Sequence, residues 1–372
     1  MGGSPERVLT VNAGSSSLKL RVLDADGRVV CSRDRGAIED EDELRGELEA
    51  VLDEAPAIDA AGHRIVHGGV EFTGPTVLDT DTEGRLERLV DLAPLHNPPA
   101  VAAIRALHAL RPELPAVACF DTAFHATMPA AASTYAIPAA WTDRWPLRRF
   151  GFHGLSHAYA SRRAAELLGR PVSELRLVTA HLGAGASLAA VQSGRSVDTT
   201  MGFTPLEGLV MATRSGSVDP GLLLWVQRHG DLDAAEMERA LDRESGLLAL
   251  SGRSGDMREV LAGIDEGDER CHLAFDVYIH RLAAGIAAMT AAMGDINALV
   301  FTGGVGENSP QVRAAAVEAA AFVGISLNPT LNSEANPDAI LSPASASAAV
   351  VLVAAREDLE IAAQVRSALG SV

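Results

Sequence analysis

Residues 8–24 read VLTVNAGSSSLKLRVLD. Two apolar runs, 8–11 and 18–23, flank a stretch of small residues with three hydroxyls, a pattern that predicts strand, tight polar turn, strand. Just past the turn stands Lys19, the only lysine of the chain; the other 30 of its 31 basic side chains are arginine. An ammonium is a compact point charge that reaches a phosphate from a tight turn where a planar guanidinium fits poorly. Small residues and backbone N–H groups beside a cation are what a phosphate needs. The turn is read as a phosphate site.

The layout recurs. Residues 176–191 read RLVTAHLGAGASLAAV: apolar strand, polar residue, Gly/small turn, second strand, with His181 standing where Asn12 stands in the first copy. Each copy is followed by a Gly-Arg turn, Gly27-Arg28 and Gly194-Arg195. Almost half a chain separates them, so the sequence predicts two related α/β halves, each offering a turn to a shared cleft.

Length and composition agree. A chain of 372 residues favours two domains over one, and 47% hydrophobic with 22% charged residues describes an ordinary packed protein. A net charge of −18, without lysine runs or basic stripes, argues against nucleic acid and anionic membrane as partners. Cys31, Cys119 and Cys271 are scattered and show no CxxC spacing, which disfavours a zinc site or disulfide framework and fits a reducing cytoplasm. MGGSPER has no apolar core of a secretory signal, and the apolar stretch 282–293 is too short to span a bilayer and reads as a buried helix.

Between and beyond the two hairpins, strands are predicted at 28–32, 63–69, 115–120, 298–302 and 349–354. Helices are predicted at 39–54, 83–93, 99–110, 157–169, 256–262, 268–293, 310–322 and 357–369. Residues 141–152 and the GGVGEN run at 303–308 read as loop and glycine turn, and 204–213 as loop and helix. Strands alternating with helices mean α/β layers with a mixed sheet.

Ten motifs then stand in order along the chain: VNAGSSSLK (11–19), GHRIVHGG (62–69), PLHNP (94–98), FDTAFH (120–125), RRFGFHGLSH (148–157), AHLGAGAS (180–187), MGFTPLEGL (201–209), TRSGSVDP (213–220), SGDMR (254–258) and FTGGVGENS (301–309). Together they strongly resemble the acetate kinase (acetokinase) family. The resemblance implies the acetate and sugar kinase, chaperone ATPase and actin superfamily: an α/β fold of two duplicated ribonuclease H-like domains with a nucleotide in the cleft between them. The first domain is expected at 1–122 plus 356–372, the second at 125–355. It further implies reversible transfer of a phosphoryl group from ATP to acetate, with Mg2+ (or Mn2+) and ATP/ADP, in a cytoplasmic homodimer whose apolar helix at 268–293 is the candidate interface. A kinase for propionate or another short-chain carboxylate is the near alternative. A non-catalytic actin-like nucleotide switch is the distant one, and a sugar kinase on this fold has no support in the motifs.

A carboxylate nucleophile is already ionised at neutral pH, so the chemistry needs no strong base. It needs positive charge, a metal for the phosphates and in-line positioning. Arg64 and Arg214 match the family's substrate and transition-state arginines, and His153 its phosphoryl-stabilising histidine. His157 reads as structural support. Asp121, closing an apolar strand, matches the active-site carboxylate, and its metal-side role is favoured over acid/base work. Asn12 and Glu357 match the two magnesium positions, although the Pro-Thr lead-in before Glu357 is replaced by Ala354 and Ala355. Nucleotide contacts carried over are Lys19, Ser15 and Ser17; His181, Leu182, Gly183, Ala184 and Gly185; Asp256, Met257 and Arg258; and Gly304, Val305, Gly306, Glu307 and Asn308. One departure matters: the family's HLGNG turn here carries Ala184, which removes a side-chain amide near the phosphates. Val66, Leu95, Phe152 and Pro205 match the apolar pocket for the acyl methyl. Valine at 66 keeps it small, and since one methylene is worth only about 1–3 kcal/mol, propionate is a credible second substrate.

Lys19→Arg keeps the charge but not the compact geometry. Steady-state ADP release is expected to fall at least tenfold, roughly the loss of one well-placed charged hydrogen bond; wild-type turnover in that variant refutes the reading of this turn.

Overall fold

The opening stretch forms β1 (Val8–Ala13) and β2 (Ser17–Leu23), antiparallel, with Asn12 opposite Lys19. The computed structural model of the chain describes residues 5–14, 17–38, 40–93 and 97–370. Ser15 and Leu95, two of the expected site residues, lie outside the described residues. Two units are distinguished: Met1–Ala126 with Phe152–Tyr159 and Arg356–Val372, and Thr127–Gly151 with Ala160–Ala355.

The first unit is built on a six-stranded sheet in the order β3-β2-β1-β4-β6-β5, where β3 is Val29–Gly36, β4 Ala60–Ile65, β5 Thr76–Val77 and β6 Ala116–Phe120. β1, β4 and β6 are parallel; the other pairings are antiparallel. The central strands are apolar on successive residues because both sheet faces are covered. Leu9, Val11, Leu20 and Val22 pack beneath the Glu41–Glu54 and Asn97–Leu110 helices through Leu44, Leu48, Val51, Ala103 and Leu107. Val8, Leu23, Val117 and Cys119 face the C-terminal helix Glu357–Gly370 through Ile361, Ala362 and Val365. That helix lies so close that a Cβ on Gly62 would stand 2.4 Å from Ile361 Cγ2. Asn12, Arg64 and Asp121 thereby come from the carboxyl ends of three adjacent parallel strands, where open α/β sheets bind ligands.

The second unit repeats the plan. Its strands are β7 (Arg176–Leu182), β8 (Ala186–Gln192), β9 (Arg195–Thr199), β10 (Ala298–Thr302), β11 (Ala339–Ile340) and β12 (Ala349–Leu352), in the order β11-β12-β10-β7-β8-β9. Antiparallel β7, β8 and β9 and parallel β7, β10 and β12 reproduce the first sheet strand for strand. The duplication predicted from two turns is a duplication of topology.

Several elements differ from expectation. Residues 303–308 form a helix, Gly303–Asn308, rather than a turn: Gly303 at φ +81° lets the chain leave β10, and a Cβ there would meet the Leu182 carbonyl oxygen at 2.8 Å. The helix expected at 83–93 is Thr80–Glu87, started by Asp79, whose carboxylate accepts from Thr82 N. Helix 157–169 starts earlier and is Gly154–Leu167. No helix forms at 204–213. Instead Pro220–Gly230, Ala234–Arg243 and Gly246–Ser251 are helical. Asp219 caps the first with Pro220 at its first turn, and Asp233 with Glu236 makes a capping box for the second. The long helix Glu269–Met293 leaves Leu273 exposed. Cys271, Ala274, Tyr278, Leu282, Ile286 and Met289 are buried inside its own unit. The Pro220–Gly230 helix buries none of its residues and exposes Leu222, Leu224 and Trp225 by half or more. Among the described residues no helix is long and apolar enough to cross a membrane.

Candidate active site

In the first unit the ends of three strands converge on one guanidinium. Arg64 Nη2 donates to Asp121 Oδ2 at 2.6 Å and Nε reaches both Asp121 oxygens at 3.2 Å, while Nη1 donates to Asn12 Oδ1 at 3.1 Å. Asp121 is 1% exposed and the Arg64 side chain 18%. Glu357, the first residue of the C-terminal helix, acts electrostatically on both. Burial alone lowers the Arg64 pKa, but Asp121 and Glu357 outweigh it and hold the guanidinium above its ordinary value. Burial likewise pushes the Asp121 carboxyl above the usual carboxylate range. Arg64 and the His153 backbone N–H pull it down, and Glu357 adds to the rise. Asn12, Arg64, Asp121 and Glu357, scattered over the sequence, are therefore one cluster.

His153 sits against it under strain. Its φ is +55°, a left-handed conformation that costs a non-glycine residue about 1–3 kcal/mol and persists where surroundings impose it. Its imposers are visible. Gly154 N donates to the Asp121 carbonyl at 3.0 Å, and a Cβ on Gly154 would stand 2.1 Å from that oxygen. His125, fully buried, binds the Phe152 carbonyl through Nε2 at 3.0 Å and packs edge-on against His157. Phe152 is 1% exposed and meets the His67 ring edge-on; Val66 is 8% exposed. The turn after Val66 is held by Asn97, which accepts from His67 N at 3.2 Å and donates to the His67 carbonyl at 3.1 Å, and by Thr122 Oγ1, which accepts from Gly68 N. Asn97, Thr122 and His125 escaped the sequence reading. Each lies inside a quoted motif, yet nothing local shows which backbone it serves.

Lys19 lies on β2, exposed, across from Asn12 on one side and Asp34 on the other. Ser17, half-buried, opens the same strand.

The second unit holds a cavity of about 780 Å³, within the usual size for small-molecule sites. Three separate segments of the expected nucleotide set line it: Gly183 and Ala184; Asp256, Met257 and Arg258; and Gly304, Val305 and Asn308. Ala212, Leu261, Asp265 and Gln311 were not foreseen on its wall. Gly255 is needed there, since a Cβ would press the Ala212 carbonyl oxygen at 2.7 Å. Asp256 caps the Met257–Asp265 helix and pairs with Arg258 at 2.5 Å, and that arginine holds its carboxyl below the usual range. Gly306 and Glu307 are gripped from behind by Arg313, 2% exposed, whose guanidinium donates to both their carbonyls at 2.8 Å. Leu182 and His181 close β7, with His181 opposite Thr302, and Gly183 N donates to Gly185 O across the turn. Arg214 pairs with Asp242 at 2.6 Å, and Pro205 lies half-buried in the same unit.

A family model described as the acetokinase family matches residues 42–363. An acetate kinase of Streptomyces avermitilis is 44% identical over 99% of this chain and 98% of its own length. Among solved structures, the acetate kinase of Porphyromonas gingivalis superposes with a TM-score of 0.90 at 35% identity, over 98% of this chain and all of that one. A propionate kinase from Francisella tularensis superposes with a TM-score of 0.88 at 33% identity, over 96% and 98% of the two chains.

Burial lowers His125 to about 4 and His63, whose ring nitrogens have no hydrogen-bond partner among the described residues, to about 3. Both stay neutral when folded, while the unfolded chain binds protons at the ordinary value of 6.5. Stability from this difference is complete above pH 6.5 and is lost as pH falls toward 4 and 3. His125→Asn keeps a donor for Phe152 without the titration. Its stability is expected to fall less steeply between pH 6.5 and 4 in thermal unfolding, by about 1.4 kcal/mol per pH unit, and parallel profiles refute the assignment.

Proposed function

This chain belongs to the acetokinase family, and we propose that it catalyses reversible, ATP-dependent phosphorylation of acetate by direct in-line transfer. It is an enzyme of the kinase class that phosphorylates a carboxylate, and its family implies ATP/ADP as substrate together with a metal ion. The observation that carries the residue assignment is the Arg64–Asp121 pair with Asn12 and Glu357 beside it. A mobile anion such as acetate competes for a guanidinium already desolvated and aimed. Val66 and Phe152, apolar and buried nearby in sequence and in unit, suit a short acyl chain. His153, fixed in a left-handed conformation, is the donor we assign to the transferring phosphoryl group, and Arg214 its second positive charge.

The metal we assign is Mg2+, with Mn2+ as a substitute. Asn12 Oδ1 and the carboxylates of Asp121 and Glu357 are hard oxygen donors. That is the pattern of Mg2+, which takes few protein oxygens and completes its shell with water and phosphate. Such an ion would neutralise phosphoryl charge; Asn12 and Glu357 would hold it, with Asp121 on the metal side. The 780 Å³ cavity of the second unit suits the nucleotide, with Gly183, Ala184 and Gly304 supplying close backbone and Asp256–Arg258 the far wall. Lys19 and Ser17 we assign to the phosphates. Ala184 stands bare on the cavity wall, and we assign to it a weakened hold on the donor phosphates. Cys31, Cys119 and Cys271 are all free thiols, as in a reducing cytoplasm.

Trapping the acyl phosphate with hydroxylamine across acetate, propionate and butyrate tests the substrate. Acetate is expected to lead, with propionate about tenfold or more behind; butyrate turned over as well as acetate overturns the reading. Arg64→Ala is expected to lose roughly 10²–10³ in kcat/KM for acetate, and a smaller effect on acetate than on ATP removes Arg64 from its role.

A homodimer is the assembly we infer, with the Pro220–Gly230 helix as its contact: an amphipathic helix with no buried residue and Leu222, Leu224 and Trp225 exposed seeks a partner. Light scattering is expected to give twice the chain mass, returning to one chain in Leu222→Asp/Trp225→Asp. A monomeric wild type refutes this.

A further inference from the structure

The segment 199–209, which contains Pro205, is bound to the rest of the second unit in an unusual way. Its ends are tied to ordinary neighbours. Thr199 Oγ1 donates to the Leu188 carbonyl at 2.7 Å, and at the far end Gly208 N donates to Ser217 Oγ while Ser217 N donates to the Gly208 carbonyl. Between them stands a set of side chains that no role in substrate or nucleotide binding explains. Arg149 Nη1 donates to three successive carbonyls, Thr199 at 3.2 Å, Thr200 at 3.1 Å and Met201 at 3.0 Å. Its Nη2 crosses the loop to Glu207 Oε1 at 2.6 Å. The other Glu207 oxygen accepts from Tyr135 OH at 2.6 Å, and that hydroxyl in turn accepts from Phe203 N at 2.8 Å. Beneath them Phe150 N and Gly151 N both donate to the Gly202 carbonyl, at 3.0 and 3.2 Å. The network presses so tightly on the backbone that a Cβ on Gly202 would stand 1.7 Å from Glu207 Oε2 and 2.3 Å from Tyr135 OH.

Both carboxylate oxygens of Glu207 are taken, so it is no general base. Among the described residues every hydrogen bond of the Arg149 side chain goes to a backbone carbonyl or to Glu207, so it is no substrate arginine. What the three side chains do is fix a loop whose middle is a proline. We propose that Tyr135, Arg149 and Glu207 are positioning residues that hold the 199–209 segment in one shape and, through Pro205, set how far the enzyme discriminates between acyl chains of different length. The inference rests on the acetate kinase reading and on the acyl-pocket role that the family resemblance implies for Pro205. A pocket wall discriminates a methylene only as well as it resists being displaced, because a yielding wall accepts the longer chain. A loop clamped by a bidentate carboxylate between a guanidinium and a phenol is a stiff wall. Removing one hydroxyl leaves the fold intact but frees one of the two tethers of Glu207 and strands the Phe203 N–H.

The test is steady-state kinetics of Tyr135→Phe, Glu207→Ala and Pro205→Ala with acetate, propionate and butyrate at saturating ATP, and with ATP varied at saturating acetate. Tyr135→Phe is expected to raise KM for acetate about five- to tenfold, the loss of one or two hydrogen bonds, with KM for ATP unchanged. The propionate-to-acetate ratio of kcat/KM is expected to move at least threefold toward propionate, a small part of what a methylene is worth. Glu207→Ala is expected to act in the same direction and further; where it does not fold, Tyr135→Phe decides alone. A loss shared equally by acetate and ATP means a purely structural role and overturns the proposal. If Pro205→Ala shifts the acyl ratio while Tyr135→Phe and Glu207→Ala do not, the network is overturned and the pocket assignment stands. If Pro205→Ala shifts nothing, the pocket assignment falls and the inference falls with it.

Discussion

The ion pair between Arg64 and Asp121 is the constraint on which the first unit is arranged. A carboxylate 1% exposed is costly to desolvate, and removing either partner of such a pair typically costs about 3–5 kcal/mol. Only a geometry with several short bonds offsets that burial, and here the guanidinium reaches both carboxylate oxygens and the Asn12 amide together. To deliver it, β1, β4 and β6 must lie side by side and parallel, with their carboxyl ends level. Gly62 must be bare so that the C-terminal helix can approach and bring Glu357 to the same place. The pair is thus less a source of stability than a reason for the strand order.

Glycines and one strained histidine complete the arrangement. Gly154 touches the Asp121 carbonyl because it has no Cβ, and that contact sets the chain turn in which His153 is held at φ +55°. The buried, neutral His125 fixes the carbonyl just before it. A side chain placed by its backbone, rather than by its own rotamer freedom, loses little entropy when a ligand arrives.

The second unit copies the sheet and spends it differently. Where β1 ends in Asn12 beside an arginine, β7 ends in His181 and a turn opening on a cavity wide enough for a nucleotide. Its long helix, whose apolar run 282–293 reads as buried, is core there. The exposed apolar face is on a shorter helix introduced by Asp219 and Pro220, a helix-start signal that stands just beyond the segment read as loop and helix.

By itself the sequence determined the two hairpins, the duplicated halves, most strands and helices, and, through ten ordered motifs, which residues to gather. These features are local: strand alternation, caps and turn glycines act over a few residues, so a one-dimensional reading captures them. Only the tertiary structure decided that Arg64 bonds Asp121, fifty-seven positions away, that Asn97 and His125 serve backbones elsewhere, and that the run 303–308 is a helix held from behind by Arg313. Only it joined Tyr135, Arg149 and Glu207 around one loop. Such contacts follow from which strands become neighbours, and that choice is made by burial summed over the whole core rather than by any stretch of residues within it.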